Sequence, residues 1–294
     1  VGIALFNRTQ RIFFLKIIAL LSIVRWYNII ITALAQYVTA IYVFNPEKSG
    51  FEVLKDLDLH LIVGSTALII AAGYIINSFY DLEKDLINRP EHTIFGRLVS
   101  KSFCLYCYLT FNVIALAISL AVSSNVFIYF GLFAAALWSY SHKLQRIPVL
   151  RELSASLLSV ASVLVIALFF NYLSNSLIIY AAFMILVLFN KEIIKDFVNI
   201  KGDELYGYGT IPLRFGQRTA FYVLGLLSAG AIAIAVYFLY TRPELILEVG
   251  MFGIILLLIW VVALFNNPDK TTIKLSNTLY KILIVLSLAL SVYL

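Results

Sequence analysis

The chain has 294 residues, 62% apolar and only 13% charged, with 22 basic against 16 acidic side chains. A soluble domain is nearer half apolar and a quarter charged, so a mean hydropathy of +0.95 excludes an ordinary water-soluble globule. The net charge of +6 therefore reads as loop charge on a membrane protein, with no nucleic acid as partner.

A bilayer core about 30 Å thick takes roughly 20 apolar residues per helix, so uncharged stretches count the spans. Residues 26–46 supply the first and 59–80 the second. Residues 102–142 hold two helices with a turn at Ser123-Ser124-Asn125, and residues 153–190 hold two more with a turn between Asn171 and Asn175. Residues 219–241, 249–268 and 275–294 complete the count, with Lys281 snorkelling towards an interface. The expected fold is an all-α integral membrane protein of about nine transmembrane helices around a central cavity. It forms a single domain over residues 1–294. No cleavable signal peptide is expected, because Arg8, Arg11 and Lys16 lead into a full-length span without a small-residue cleavage site. Cys104 and Cys107 have CxxC spacing but lie in an apolar run without neighbouring His or carboxylate, which reads as packing.

Placing the N terminus inside puts every basic residue except Lys48, Lys55 and Arg242 on the inner side. That asymmetry predicts a cytoplasmic N terminus in a multi-pass protein of a prokaryotic cell (inner) membrane. The long polar segments 81–101, 143–151 and 191–218 then face the cytoplasm, and the active site is expected on that side.

Two acidic stretches carry the chemistry. In Asn77-Ser-Phe-Tyr-Asp81-Leu-Glu-Lys-Asp85, spacings of four put an amide and two carboxylates on one helical face. In Glu192-Ile-Ile-Lys-Asp196-Phe-Val-Asn199-Ile-Lys-Gly-Asp203 the pattern recurs, with Gly202 marking the expected fraying point of that helix. Such oxygen donors suit Mg²⁺, which takes one or two carboxylates together with phosphate oxygens and water. Each stretch alone also reads as a solvated polar helix end. Two of them with the same chemistry on the same side do not.

NSFYDLEKDLINRP resembles the NxxxDxxxD motif of the UbiA superfamily of intramembrane prenyltransferases, and KEIIKDFVNIKGDELYG resembles its second Asp-rich motif. Arg25-Trp-Tyr-Asn28 resembles the family's early RxxN, Tyr140-Ser141 through Arg146 its YSxxLKR loop, and Gly209-Thr-Ile-Pro212 through Gly216 its TLPxxxG segment. These landmarks occur in family order. The resemblance implies that Asn77, Asp81 and Asp85 bind Mg²⁺ and diphosphate, and that Asp196, Asn199 and Asp203 supply a second metal. It makes Asp81, Asp85, Asp196 and Asp203 the catalytic carboxylates. Arg25, Asn28, Tyr140, Lys143, Arg146 and Lys195 then become substrate-binding residues. Metal ions and fixed cations stabilise a leaving diphosphate, and aromatic walls such as Tyr80 and Tyr140 stabilise the allylic cation left behind. The chain departs from the pattern at Asn199, where Asp is common, at Gln145, where Lys is usual, and at His92-Thr93, where the family has Arg-Pro.

The acidic strings look most similar to the branch that includes digeranylgeranylglyceryl phosphate synthases. In that branch a prenyl diphosphate and a prenylglycerol phosphate would be the substrates, the acceptor phosphate held by Lys143, Arg146 and Arg151, with Mg²⁺ as cofactor. The 4-hydroxybenzoate polyprenyltransferases, with an aromatic acceptor, are the alternative branch. An ion or proton transporter is the non-enzyme alternative, disfavoured because its acids would sit near the bilayer midplane on interrupted helices. A structural membrane subunit leaves both acidic stretches unexplained. His60, His92 and His142 form no ligand cluster by spacing and read as interfacial or loop residues.

Overall fold

The computed structural model describes residues 8–88, 100–241, 245–264 and 269–293. Ten long helices follow one another among these residues. They are α1 Arg8–Ile23, α2 Trp26–Val38, α3 Leu57–Asn88, α4 Lys101–Val122, α5 Ser124–His142, α6 Leu150–Phe169, α7 Asn175–Leu205, α8 Gln217–Thr241, α9 Leu245–Leu264 and α10 Lys270–Leu290. Seven helical stretches are long and apolar enough to cross a membrane: Trp26–Val43, Leu57–Glu83, Lys101–Val122, Leu150–Phe169, Asn175–Leu205, Gln217–Thr241 and Thr271–Leu290. The other two expected spans fall on α5, which Ser, Asn, Tyr and His make more polar, and on the shorter apolar stretch Leu247–Val261. Seven of the nine expected spans are thus long apolar helices among the described residues. The sequence readings at Arg89, His92, Thr93, Arg97 and Arg242 lie outside the described residues.

Local chemistry sets the helix ends. Ser100 caps α4 by accepting from the Phe103 N–H, and Ser174 caps α7 by accepting from Leu177 N–H. Ser49 and Glu52 form a capping box around the one-turn helix Gly50–Val53. Breaks occur at Ser123 and at residues 170–174, where turns are expected, and in each a serine caps the next helix, Ser123 accepting from Val126 N–H and Ser174 from Leu177 N–H.

By its contacts the chain divides into two compact units, Val1–Leu34 with Leu57–His142, and Ala35–Asp56 with Lys143–Leu294. In the first, α3 packs along α4 and α5. Its buried stripe Leu59, Ile62, Thr66, Ile69, Ala72 and Ile76 keeps three- and four-residue spacing. Gly73 admits α5 closely, since a Cβ there would lie 3.1 Å from Leu137. Cys104 belongs to an apolar cluster with Ala19, Ala71 and Ile75, which agrees with its reading as packing.

In the second unit α7 is central and packs on α6, α8 and α10. Lipid gives no hydrophobic drive between helices, so small residues and interhelical hydrogen bonds must hold them. The buried face of α8 fits this requirement, running Ala220, Leu224, Ser228, Ala231, Ala235 and Phe238. Asn190 of α7 donates to Ser228 Oγ at 3.1 Å, and Tyr180 donates to the Ser287 carbonyl at 2.6 Å. Gln36 Nε2 donates to the Ser162 carbonyl at 2.7 Å.

Candidate active site

In the first unit, Asn77 Nδ2 donates to Asp81 Oδ2 at 3.0 Å. This i,i+4 contact is what the shared helical face predicts. Asp81 is buried and Asp85, one turn on, is partly exposed. The same face continues back to Tyr74, where two further expected residues arrive. The Arg25 guanidinium lies 5.3 Å from the Tyr74 ring centroid, and Asn28 Nδ2 donates to the Tyr74 hydroxyl at 2.9 Å. Tyr74 was missed in the sequence, although its place three residues before Asn77 is the signal that finds it. Tyr80 lies 3.2 Å from His142 Nδ1, and the imidazole stacks on Trp138 with 5.1 Å between centroids and 6° between planes. His142 is therefore a fixed part of this unit. Tyr140 is partly buried near the same end of α5.

In the second unit α7 does not fray at Gly202 but runs on to Leu205. Gly207 stops it, at φ +67°, with the Tyr208 N–H bonded to the Asp203 carbonyl at 2.8 Å and the Gly207 N–H to the Glu204 carbonyl at 3.2 Å. That is a Schellman termination, and it leaves Gly202 inside the helix, buried. Asp196, Asn199 and Asp203 consequently stay on one continuous face, and all three are buried.

Arg151 reaches that face. Its guanidinium lies 2.8 Å from Asp196 Oδ1 and 3.4 Å from Asp203 Oδ2, with only 4% of the side chain exposed. This corrects the expectation that Arg151 holds an acceptor phosphate, because the first turn of α6 delivers it to carboxylates of α7 instead. Lys143 and Arg146 remain exposed, with the Arg146 guanidinium 5.5 Å from the Tyr208 ring centroid. Gln145 is buried. Lys195 is held by Glu192, which also binds Lys191 at 2.7 Å, so its ammonium is committed within α7.

The segment before α6 is tightly set. Val149 adopts φ +69°, which a β-branched residue seldom takes. The turn is fixed from the other side as well: Gly209 N–H donates to the Arg146 carbonyl at 3.0 Å, and Glu152 accepts the Ile211 N–H at 3.1 Å. Neither Glu152 nor Tyr208 was singled out from the sequence, where neither stands in an acidic repeat.

Whether these residues suit a divalent cation can be read from their oxygens. Asn77 Oδ1 and Asn199 Oδ1 are buried without a hydrogen-bond partner among the described residues, one in each acidic stretch. Hard oxygen atoms of this kind fit Mg²⁺. No group of three or more His, Cys, Asp or Glu converges among the described residues.

The family model for the UbiA prenyltransferase family matches residues 39–283. The chain belongs to that family. It is a multi-pass membrane enzyme, a prenyltransferase. A digeranylgeranylglyceryl phosphate synthase from Hyperthermus butylicus is 30% identical over 227 residues, 70% of this chain and 72% of its own. Another, from Methanosarcina mazei, is 28% identical over 281 residues, 89% of this chain and 93% of its own. The solved structure of a UbiA homolog from Archaeoglobus fulgidus, bound to DMAPP and Mg²⁺, shares the fold with a TM-score of 0.67 at 17% identity, covering 94% of this chain and 99% of that one.

The TLPxxxG-like segment of this UbiA member gains a physical reason from the structure. A Cβ on Gly209 would lie 2.7 Å from both the Arg146 carbonyl oxygen and Pro148 Cδ, so only glycine admits this approach. Gly209→Ala is expected to lower stability by about 1–3 kcal/mol, the range for forced overpacking, and to cut turnover by displacing Arg146. Thermal unfolding in detergent and a prenyl-transfer assay check this, and a variant that matches wild type in both contradicts it.

Proposed function

We propose that this enzyme transfers a geranylgeranyl-like chain from its diphosphate to a hydroxyl of a prenylglycerol phosphate, geranylgeranylglycerol phosphate for choice, releasing diphosphate. The observation that carries the reading is the repeated face of carboxylate and amide oxygens in a chain whose near-full-length relative is named digeranylgeranylglyceryl phosphate synthase. Asn77, Asp81 and Asp85, and Asp196, Asn199 and Asp203, are the residues that would hold Mg²⁺. Bound there, the ion would offset the charge that builds on diphosphate as the bond from C1 to oxygen breaks.

The chain's own residues do the rest. Arg25 and Asn28, gathered on Tyr74, offer fixed donors beside Asn77 and Asp81. The exposed cations Lys143 and Arg146 take the acceptor phosphate by charge-assisted hydrogen bonds. The attacking hydroxyl loses its proton as the new ether bond forms. The membrane is a prokaryotic inner membrane with the N terminus on the cytoplasmic side, supported by the basic residues of the inner segments.

Asp81→Asn and Asp85→Asn are each expected to lower turnover about a hundredfold or more with the unfolding temperature unchanged, and excess chelator should stop diphosphate release. Wild-type rates in these variants would remove the metal assignment. Offered geranylgeranylglycerol phosphate and 4-hydroxybenzoate under the same conditions, the enzyme should show the higher kcat/KM with the first. Prenylation of the aromatic acid alone would reject the acceptor and keep the prenyltransferase. For orientation, single cysteines at Ser49 and Thr93 should label from opposite faces of sealed vesicles, and same-face labelling would overturn it.

A further inference from the structure

Two arginines meet one aromatic ring where the chain returns past the start of α6. The Tyr208 ring centroid lies 5.5 Å from the Arg146 guanidinium and 6.0 Å from that of Arg151, both within the range of a cation–π attraction. Tyr208 is buried, and main chain on either side sets its place. Its N–H donates to the Asp203 carbonyl at 2.8 Å, and the N–H of the next residue, Gly209, donates to the Arg146 carbonyl at 3.0 Å. Neither bond involves the side chain, so the backbone delivers the ring to both guanidiniums already ordered.

The two cations are held in different ways. Arg151 is buried and gives its guanidinium to Asp196 and Asp203. Arg146 is exposed and makes no ion pair among the described residues. A carboxylate takes up guanidinium N–H donors and offsets the charge, whereas a ring face steadies the group and leaves donors and charge for an anion. The first unit repeats the pairing, with Arg25 5.3 Å from the Tyr74 centroid. Arg151 would keep its carboxylates without the ring, so the ring matters most to Arg146.

We infer that Tyr208 is a positioning residue that holds the Arg146 guanidinium towards a phosphate group of a substrate, while carboxylates fix Arg151 in the fold. The inference rests on the reading of Arg146 as a phosphate-binding cation. It adds the residue that aims it, one that falls between the second acidic stretch and the TLPxxxG-like segment.

The test measures equilibrium binding of radiolabelled geranylgeranylglycerol phosphate and, separately, of inorganic diphosphate to full-length protein in detergent with Mg²⁺. Arg146→Met should weaken one of the two, and Tyr208→Leu should weaken the same one about three- to tenfold, while Tyr208→Phe, which keeps the ring, stays within about twofold of wild type. In the Arg146→Met background Tyr208→Leu should add nothing, because its effect runs through the guanidinium. Tyr208→Met repeats the measurement if Tyr208→Leu unfolds below the assay temperature. A loss on geranylgeranylglycerol phosphate supports the inference with the acceptor phosphate as the target, and a loss on diphosphate supports it with the donor as the target. Wild-type affinity in Tyr208→Leu beside a loss in Arg146→Met would overturn the inference and keep the reading of Arg146. Unchanged affinity for both ligands in Arg146→Met, or binding of neither by wild type, would overturn the two together. A loss of equal size in both backgrounds, or one as large in Tyr208→Phe, would make Tyr208 a packing or hydroxyl contact and overturn the inference.

Discussion

A guanidinium buried among carboxylates at the junction of α6 and α7 is the constraint on which the second unit depends. Charges in such surroundings are stable only when paired, because removing a charged group from water costs far more than a single hydrogen bond returns. Arg151 meets that requirement for Asp196 and Asp203 at once. The surrounding features follow from holding it there. Gly207 ends α7 one turn after Asp203, Gly209 allows the returning chain to touch Arg146, and Glu152 ties the same return at Ile211.

This arrangement explains how an apolar helix keeps an acidic end. The long run of α7 from Asn175 is locked by side chains that bond across helices, Tyr180 to Ser287 and Asn190 to Ser228. Its last turns carry acidic and basic side chains that lipid alone would not tolerate. In the first unit the same problem is solved with less charge. There Asn77 supports Asp81, and Asn28 and Arg25 gather on Tyr74. Each unit therefore presents carboxylate oxygens backed by amide or guanidinium groups, which suits a reaction whose leaving group is highly anionic.

The helical periodicity of both acidic stretches was legible in the sequence because i,i+4 spacing is a property of the backbone alone. The turns at 123–125 and 171–175 were legible for a related reason, since short polar side chains compete with the helix. The end of α7 was not. Gly202 and Gly207 look alike in the sequence, and only the chain's return past Arg146 decides which one takes the left-handed conformation. Arg151 read as one more inner-side cation, because positive-inside counting cannot see that the first turn of α6 meets the last turns of α7. Tyr74, Glu152 and Tyr208 escaped for the same reason, as their roles arise from neighbours distant in the chain. α5 illustrates the limit of hydropathy, being a helix of membrane-spanning length with polar residues at both ends.

The measurement that bears most directly on this account is a double-mutant cycle between Arg151 and Asp196, read as unfolding free energy in mixed micelles with chelator present. Arg151→Met alone should cost about 3–5 kcal/mol by leaving buried carboxylates uncompensated. Asp196→Asn introduced into that background should recover part of the loss, giving a coupling of about 1 kcal/mol or more. Losses that simply add, within about 0.5 kcal/mol, would contradict the claim that this buried pairing organises the acidic face of α7.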